Sequence, residues 1–286
     1  MRAVVIGGAN VDIISKSHNK IIHADSNPAE VTLKSGGVAR NIAEQLAKNG
    51  VETQLITAIG DDFFGEYLKN KSKKYGICTK AWIIKAGEST GVYSAALDSD
   101  GELYTAFNAM ALIEAITPED FFAHKEIIQS ADIMIVDTNL SEDTLKAVFE
   151  IRGDRPSIAE AVSAFKVNRL KKLLDKIHYL KLNKYEAEQL TKISADSRDN
   201  IEKMCKYLIG KGVRRVFITL GADGLYATEK SDVIYLPAEK IEVHDVTGAG
   251  DAFVAGIAIK FEEDLLTQAK FGARLATEFL KGVCNE

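Results

Sequence analysis

The feature that most constrains this chain is an alternation. Short runs of β-branched and other apolar residues recur along it, separated by segments with helical periodicity. The runs are "AVVIG" (3–7), "TQLITAIG" (53–60), "DIMIVD" (132–137), "IHYLKLN" (177–183) and "RRVFITLG" (214–221). Strands alternating with helices predict a layered α/β architecture around a largely parallel sheet. The clearest helix spans 197–210, where Ile201, Met204, Cys205, Leu208 and Ile209 keep to one face after a cap at Ser197 or Asp196, and Gly212 follows its end. Val38, Ile42 and Leu46 mark a second helix, and "GARLATEFL" closes the chain with a third.

Two stretches break the alternation. Residues 19–34 and 91–107 read as alternating strands, the second a hairpin turning at Asp98–Gly101. Strands outside the βα units are expected to form a small separate sheet. A sheet that size leaves one face with nothing to bury against, so it is expected to cover a ligand or a partner subunit.

Composition narrows the function classes. A length of 286 residues suits one large α/β domain; 46% hydrophobic and 27% charged residues with a net charge of −5 are those of an ordinary soluble protein, with no sign of nucleic-acid binding. The N-terminus reads as a first strand, not a signal peptide or membrane span. Cys78, Cys205 and Cys284 are widely separated, without zinc spacing or a disulfide framework, so the expected location is the reducing cytoplasm.

The chemistry concentrates in "HDVTGAGDAFVAG", His244 to Gly256. Gly248, Ala249 and Gly250 can bring successive backbone N–H groups close to a ligand, and the apolar run from Ala252 predicts a helix starting there, so the turn reads as an anion site. Asp251 is at odds with an anion unless it takes a proton from a hydroxyl attacking a phosphate. The alternative is a carboxylate that merely caps the helix.

"DVTGAGDAFVAG" resembles the C-terminal signature of the ribokinase-like (PfkB) carbohydrate and nucleoside kinases, and "SGGVARNIAEQLAKNG" (35–50) resembles their N-terminal Gly-Gly signature. With "GGANVDI", "AIGDDFFG", "NKYE" and "TLGADG" the resemblance runs in order along nearly the whole chain. It implies a doubly wound, mostly parallel sheet flanked by helices, a single kinase domain over 1–286, and a small β lid from strands near 12–34 and 87–110. It implies Asp251 as the base and Gly248, Ala249 and Gly250 as the anion hole. Asn183 and Glu186 match the Asn-x-x-Glu element that helps hold Mg²⁺ through water; a helix cap at Asn183 is compatible with that. Thr219, Gly221, Gly224 and Thr247 match the ATP side. Asn10, Asp12, Gly36, Gly37 and Asn41 match the sugar side, where a carboxylate accepts from two hydroxyls of a cis-diol. A turn at Asn10–Asp12 and close strand–helix packing at the glycines are the bland alternatives.

Within the family the narrower resemblance is to the pseudouridine kinases, carried by "HADSNPAEV", "GVARNIA", "GESTGVYSAALDSDGEL", "DTNLSED" and "VSAFK". It implies phosphorylation of the 5′-hydroxyl of a C-nucleoside. Ser26, Asn27 and Lys166 are candidates for the base, with a turn and a solvated lysine as their alternatives, and Tyr93 and Phe107 for the lid lining. Two departures stand out. Glu160–Ala161 replaces the Asp-Pro common before the segment matching "VSAFK". The chain also stops at Glu286, short of a loop and helix that in relatives contribute to the nucleotide and monovalent-cation surroundings, which leaves K⁺ open as a further cation. His23 and His244 are read as surface or packed residues. Rival readings are a kinase for ribose, uridine, adenosine or another pentose or nucleoside, and a non-catalytic ligand sensor; a homodimer through the lid is compatible with each.

Overall fold

The computed structural model describes residues 1–241 and 246–282. Among these residues the strands are, in chain order, β1 (Arg2–Ile6), β2 (Asn10–Ser17), β3 (Ala29–Gly36), β4 (Glu52–Ile56), β5 (Ala58–Gly60), β6 (Ile83–Lys85), β7 (Val92–Leu97), β8 (Leu103–Ala109), β9 (Ile133–Asp137), β10 (Ser157–Glu160), β11 (Tyr179–Asn183), β12 (Arg215–Thr219), β13 (Leu225–Glu229) and β14 (Asp232–Leu236).

The main sheet has the order β14-β13-β12-β11-β10-β9-β1-β4 and is parallel from β4 to β12, with β13 and β14 an antiparallel hairpin at one edge. Both faces are covered, because successive side chains of a strand point to opposite sides. In β1, Val4 and Ile6 join the core under helices Glu142–Arg152 and Arg198–Gly210, whereas Ala3 and Val5 join the core under Val38–Lys48, Ala249–Ile259 and Leu265–Leu280. The chain leaves β1 for β4 on one side and returns to β9 on the other. That reversal opens a crevice at the carboxyl ends of β1 and β9, where ligands bind in open α/β sheets.

A second sheet has the order β3-β2-β7-β8, with β2 and β7 parallel and the other pairs antiparallel. The helix over 197–210 forms as expected, with the Ser197 hydroxyl accepting from the Asn200 N–H. The hairpin turns at Asp98–Gly101, where Gly101 N–H bonds to Asp98 O.

Three expectations need correction. The run 53–60 divides after Ile56, and its second half, β5, pairs with β6 in a small sheet of its own. Residues 19–28 form an exposed turn instead of a strand, because Asn27 accepts from the Ile22 N–H and donates to the Ile22 and Asp25 carbonyls, closing the backbone on itself ahead of Pro28. Asn10–Asp12 is not a turn but the start of β2.

Candidate active site

The crevice is organised by a buried carboxylate that sequence reading passed over. Asp137 ends β9 and accepts three backbone N–H groups, from Gly8 after β1, Ala39 in the first turn of helix Val38–Lys48, and Asn139 (2.9–3.0 Å). Burial raises its pKa against those hydrogen bonds. A residue opposed by three donors fixes the loop after β1 and the Gly-Gly helix start as one unit. Gly37 precedes that helix at φ 99°, and a Cβ on it would press into the Gly8 carbonyl, so this backbone contact requires glycine.

Asp251 is the third residue of helix Ala249–Ile259 and is buried, 8% exposed. Its Oδ2 accepts from Asn41 Nδ2 at 2.8 Å, joining the two halves of the predicted site across 210 residues of sequence. Burial pushes its pKa up to about 7; the Asn41 hydrogen bond and the charges of Lys181 and Arg40 pull against that, and Asp137 adds to it. Gly248 opens the helix at φ 92° with the Phe279 ring against it, 2.7 Å from where a Cβ would stand. The Ala249 N–H is turned toward the Val246 carbonyl (3.3 Å).

Beside Gly250 lies a second feature missed from sequence. Lys181 and Glu160 face each other in the β10–β11 register and form a buried ion pair, Nζ to Oε1 3.0 Å. The Lys181 ammonium stands 3.0 Å from the position of a Cβ on Gly250. Burial disfavours the charge on Lys181, but the carboxylates around it, Glu160 foremost, hold its pKa above the ordinary lysine range, so it remains an ammonium. Burial pushes Glu160 up to about 8 although Lys181 opposes it, and its Oε2 is buried without a partner among the described residues. The signal in the sequence was a lysine inside the apolar strand "YLKLN". Glu160, at the end of β10, is the charged partner of this lysine at the crevice.

At the neighbouring strand ends Asn183 and Thr219 are register partners. Asn183 caps the next helix: its Oδ1 accepts from the Glu186 N–H at 2.9 Å, while the buried Glu186 carboxylate accepts from the Asn183 backbone N–H (2.6 Å) and Nδ2 (2.7 Å). Both readings of this element share one geometry, since the cap itself fixes the carboxylate. Gly221 (φ 62°) and Gly224 (φ 88°) shape the turn that follows β12. No cluster of three potential metal ligands occurs among the described residues. A cation held by one or two carboxylates, phosphates and water needs no such cluster, and the hard oxygens of Glu186 and the unpartnered Glu160 Oε2 suit Mg²⁺ on those terms.

Beside the Asn41–Asp251 pair, a cavity of about 580 Å³ is lined by Asp12, Ser35, Gly36, Asn41, Thr247 and Gly248, among others. Asn10 Nδ2 donates to Asp12 Oδ1 at 2.6 Å, and burial raises the Asp12 pKa. Lys34 and Tyr93 are register partners of Asp12, and Asn108 of Tyr93, so these four side chains leave the same face of the small sheet. Phe107 pairs with Ser94 and leaves the opposite face, so it cannot line the same surface as Tyr93. Three candidates for the base are placed elsewhere or otherwise engaged. Ser26 and Asn27 lie in the exposed turn, and Asn27 is used up in closing it. Lys166 is not solvated either: its ammonium donates to Asn139 Oδ1 (2.9 Å) and pairs with Glu114 (3.3 Å). His23 is exposed, and His244 and Cys284 lie outside the described residues.

The model of the pfkB family carbohydrate kinases matches residues 2–281. The chain belongs to this family. It is 37% identical over 256 residues to the pseudouridine kinase of Escherichia coli (strain K12), covering 89% of this chain and 82% of that one. The carbohydrate kinase from Agrobacterium tumefaciens superposes with a TM-score of 0.86 at 30% identity, covering 98% of this chain and 91% of that one. The Arabidopsis thaliana ribokinase complexed with ribose and ATP shares the fold, with a TM-score of 0.83 at 23% identity over 98% and 92% of the two chains. The pfkB protein described here is accordingly a sugar or nucleoside kinase, a phosphotransferase with an alcohol acceptor, on the ribokinase-like fold.

Proposed function

We propose that the protein transfers the γ-phosphoryl group of ATP to the 5′-hydroxyl of pseudouridine. The observation that carries the reading is the meeting of Asp251, Asn41 and the Gly248–Gly250 turn beside a cavity lined by Asp12 and Gly36. The 37% identity to a pseudouridine kinase supports the acceptor, and a ribokinase neighbour that holds ATP supports the donor.

In this reading Asp12, with Asn10 and Gly36, holds the ribose diol, and Asn41 sets the Asp251 carboxylate. Asp251 takes the proton of the 5′-hydroxyl as its oxygen bonds to the γ-phosphorus, and the bond to the bridging oxygen breaks toward ADP. The Gly250 N–H, the helix N-terminus and the Lys181 ammonium receive the charge on the transferred group. Mg²⁺, placed through water and phosphate by Glu186 and the Glu160 oxygen, would neutralise the polyphosphate. Thr219, Gly221, Gly224 and Thr247 form the nucleotide side, and K⁺ is a further cation to be tested there. Tyr93, Asn108 and Lys34 take over from Ser26, Asn27 and Lys166 as candidates for contact with the base.

The small sheet acts as a lid that excludes water, within a single kinase unit. Val31, Leu33 and Phe107 share its other face, and Val31 and Phe107 are 62% and 70% exposed. A second copy of the chain is the proposed cover. No described helix is long and apolar enough to cross a membrane, and the cytoplasm is the proposed location. The test is ADP release with ATP and Mg²⁺ against pseudouridine, uridine, cytidine, adenosine and ribose. Pseudouridine is expected to lead by more than tenfold in kcat/KM. A higher value for ribose or adenosine moves the acceptor, and nucleoside binding without turnover by any acceptor favours the sensor.

A further inference from the structure

The hydrogen bond from Asn41 to Asp251 requires the amide to face one way, and a side chain outside the predicted site decides that orientation. Arg40 is buried, 4% exposed, in the first turn of helix Val38–Lys48. Its guanidinium is spent on three partners: Nε donates to Gly36 O (3.1 Å), Nη1 to Glu44 Oε2 (2.7 Å) and Nη2 to Asn41 Oδ1 (2.6 Å). A guanidinium has donors only. Were the Asn41 amide rotated by half a turn, its NH₂ would face those donors and its oxygen would face the Asp251 carboxylate, two repulsive contacts in a buried site. With Arg40 in place only the observed orientation pairs every group.

We propose that Arg40 is a positioning residue for the phosphoryl-transfer base: it locks the Asn41 amide so that Nδ2 points at Asp251, and ties that lock to the Gly36 carbonyl at the acceptor cavity. This rests on the reading of Asp251 as the base. The charges that face Asp251 come from four elements: Arg40 on its helix, Lys181 on β11, Asp137 on β9 and Glu160 on β10. Of these, Arg40 alone among the described residues also bonds to the amide that touches the carboxylate. Glu44 holds the opposite edge of the guanidinium and is itself paired with Lys48 (3.0 Å), so the fork cannot swing away from Asn41 without breaking a part-buried ion pair.

The experiment is a double-mutant cycle of Arg40→Met and Asn41→Ala, read as kcat/KM for the leading acceptor across pH and as the ¹³C NMR titration of the Asp251 carboxyl. Arg40→Met is expected to lower kcat at least tenfold and to move the Asp251 titration up by about one pH unit in the otherwise wild-type protein. In the Asn41→Ala background it should add less than threefold, because the residue it acts through is gone. Arg40→Lys, which keeps a donor-only cation, should recover part of both effects. An Arg40→Met loss that is equally large without Asn41, or an unmoved titration, overturns the proposal and leaves Arg40 a packing residue. The carboxyl titration needs no turnover. An inactive wild type would sink the kinase reading, while the NMR result would still decide whether Arg40 sets Asp251.

Discussion

At the residue scale, Asp251 pays for its position. A carboxyl whose pKa is raised from 3.8 to about 7 in the folded protein is bound to its proton more tightly there than in the unfolded chain. The stability it contributes is therefore complete below pH 4 and is lost as pH rises through 7. Asp251→Asn is expected to stabilise the protein by on the order of 1–3 kcal/mol at pH 8 and by much less at pH 5, measured by urea unfolding at the two pH values. An equal effect at both would mean that the carboxyl is not perturbed. The Lys181–Glu160 pair makes a different prediction, because removing the lysine leaves Glu160, already pushed up to about 8, to bind a proton and lose its buried partner. Lys181→Met should cost about 1–3 kcal/mol, and adding Glu160→Gln should leave stability little changed from the single variant without restoring turnover. Recovery of turnover would reduce Lys181 to a structural role. Asp251 and Asn41 could be singled out because the resemblance assigns roles to their motif positions, whereas Lys181 could not, and Asp137 and Arg40, though inside the quoted stretches "DTNLSED" and "SGGVARNIAEQLAKNG", drew no role. Each of these three acts through a partner more than 20 residues away or through a side-chain orientation, and neither is written in local spacing.

At the scale of elements, the helix N-terminus at Gly248 and the loop after β10 carry the tightest backbone demands. Gly248→Ala would force a methyl group toward the Phe279 ring at a positive φ, so a loss of about 1–3 kcal/mol in thermal unfolding is expected, together with a lower kcat. Val162 is the contrasting case: a β-branched residue at φ 60°, next to the short turn in which Ser163 N–H returns to Ala161 O. Val162→Gly should raise stability by about 1 kcal/mol if the loop keeps its course. A destabilised variant would show that the valine side chain is worth more than the strain. The strands with continuous apolar runs and the capped helix over 198–210 were readable directly. The turn at 19–28 was misread because its alternation of apolar and polar residues mimics a strand, while side-chain hydrogen bonds from Asn27 decide the backbone. The short strand β10 escaped because its four residues end on a charge.

At the scale of the whole molecule, the double winding puts the ends of β1, β9, β10, β11 and β12 along one rim, and the groups assigned to the reaction stand at those strand ends and the turns after them, in the first turns of helices (Asn41, Glu186, Asp251) or on the small sheet. That much followed from the alternation of elements and the order of motifs. The pairing inside the small sheet did not, since a parallel β2–β7 pair joins strands some eighty residues apart. Its exposed face gives a prediction of assembly: Phe107→Glu is expected to turn a dimer into a monomer in analytical ultracentrifugation, and a wild type that sediments as a monomer at all concentrations would remove the proposed cover. The central claim, that Asp251 is the base of a nucleoside kinase, is tested most directly by kcat/KM for pseudouridine as a function of pH in the wild type and in Asp251→Asn. The account predicts a rise through pH 7 in the wild type and a loss of about 10²–10⁴-fold, without that rise, in the variant; a variant within threefold of the wild type, or one keeping the same pH limb, would contradict it.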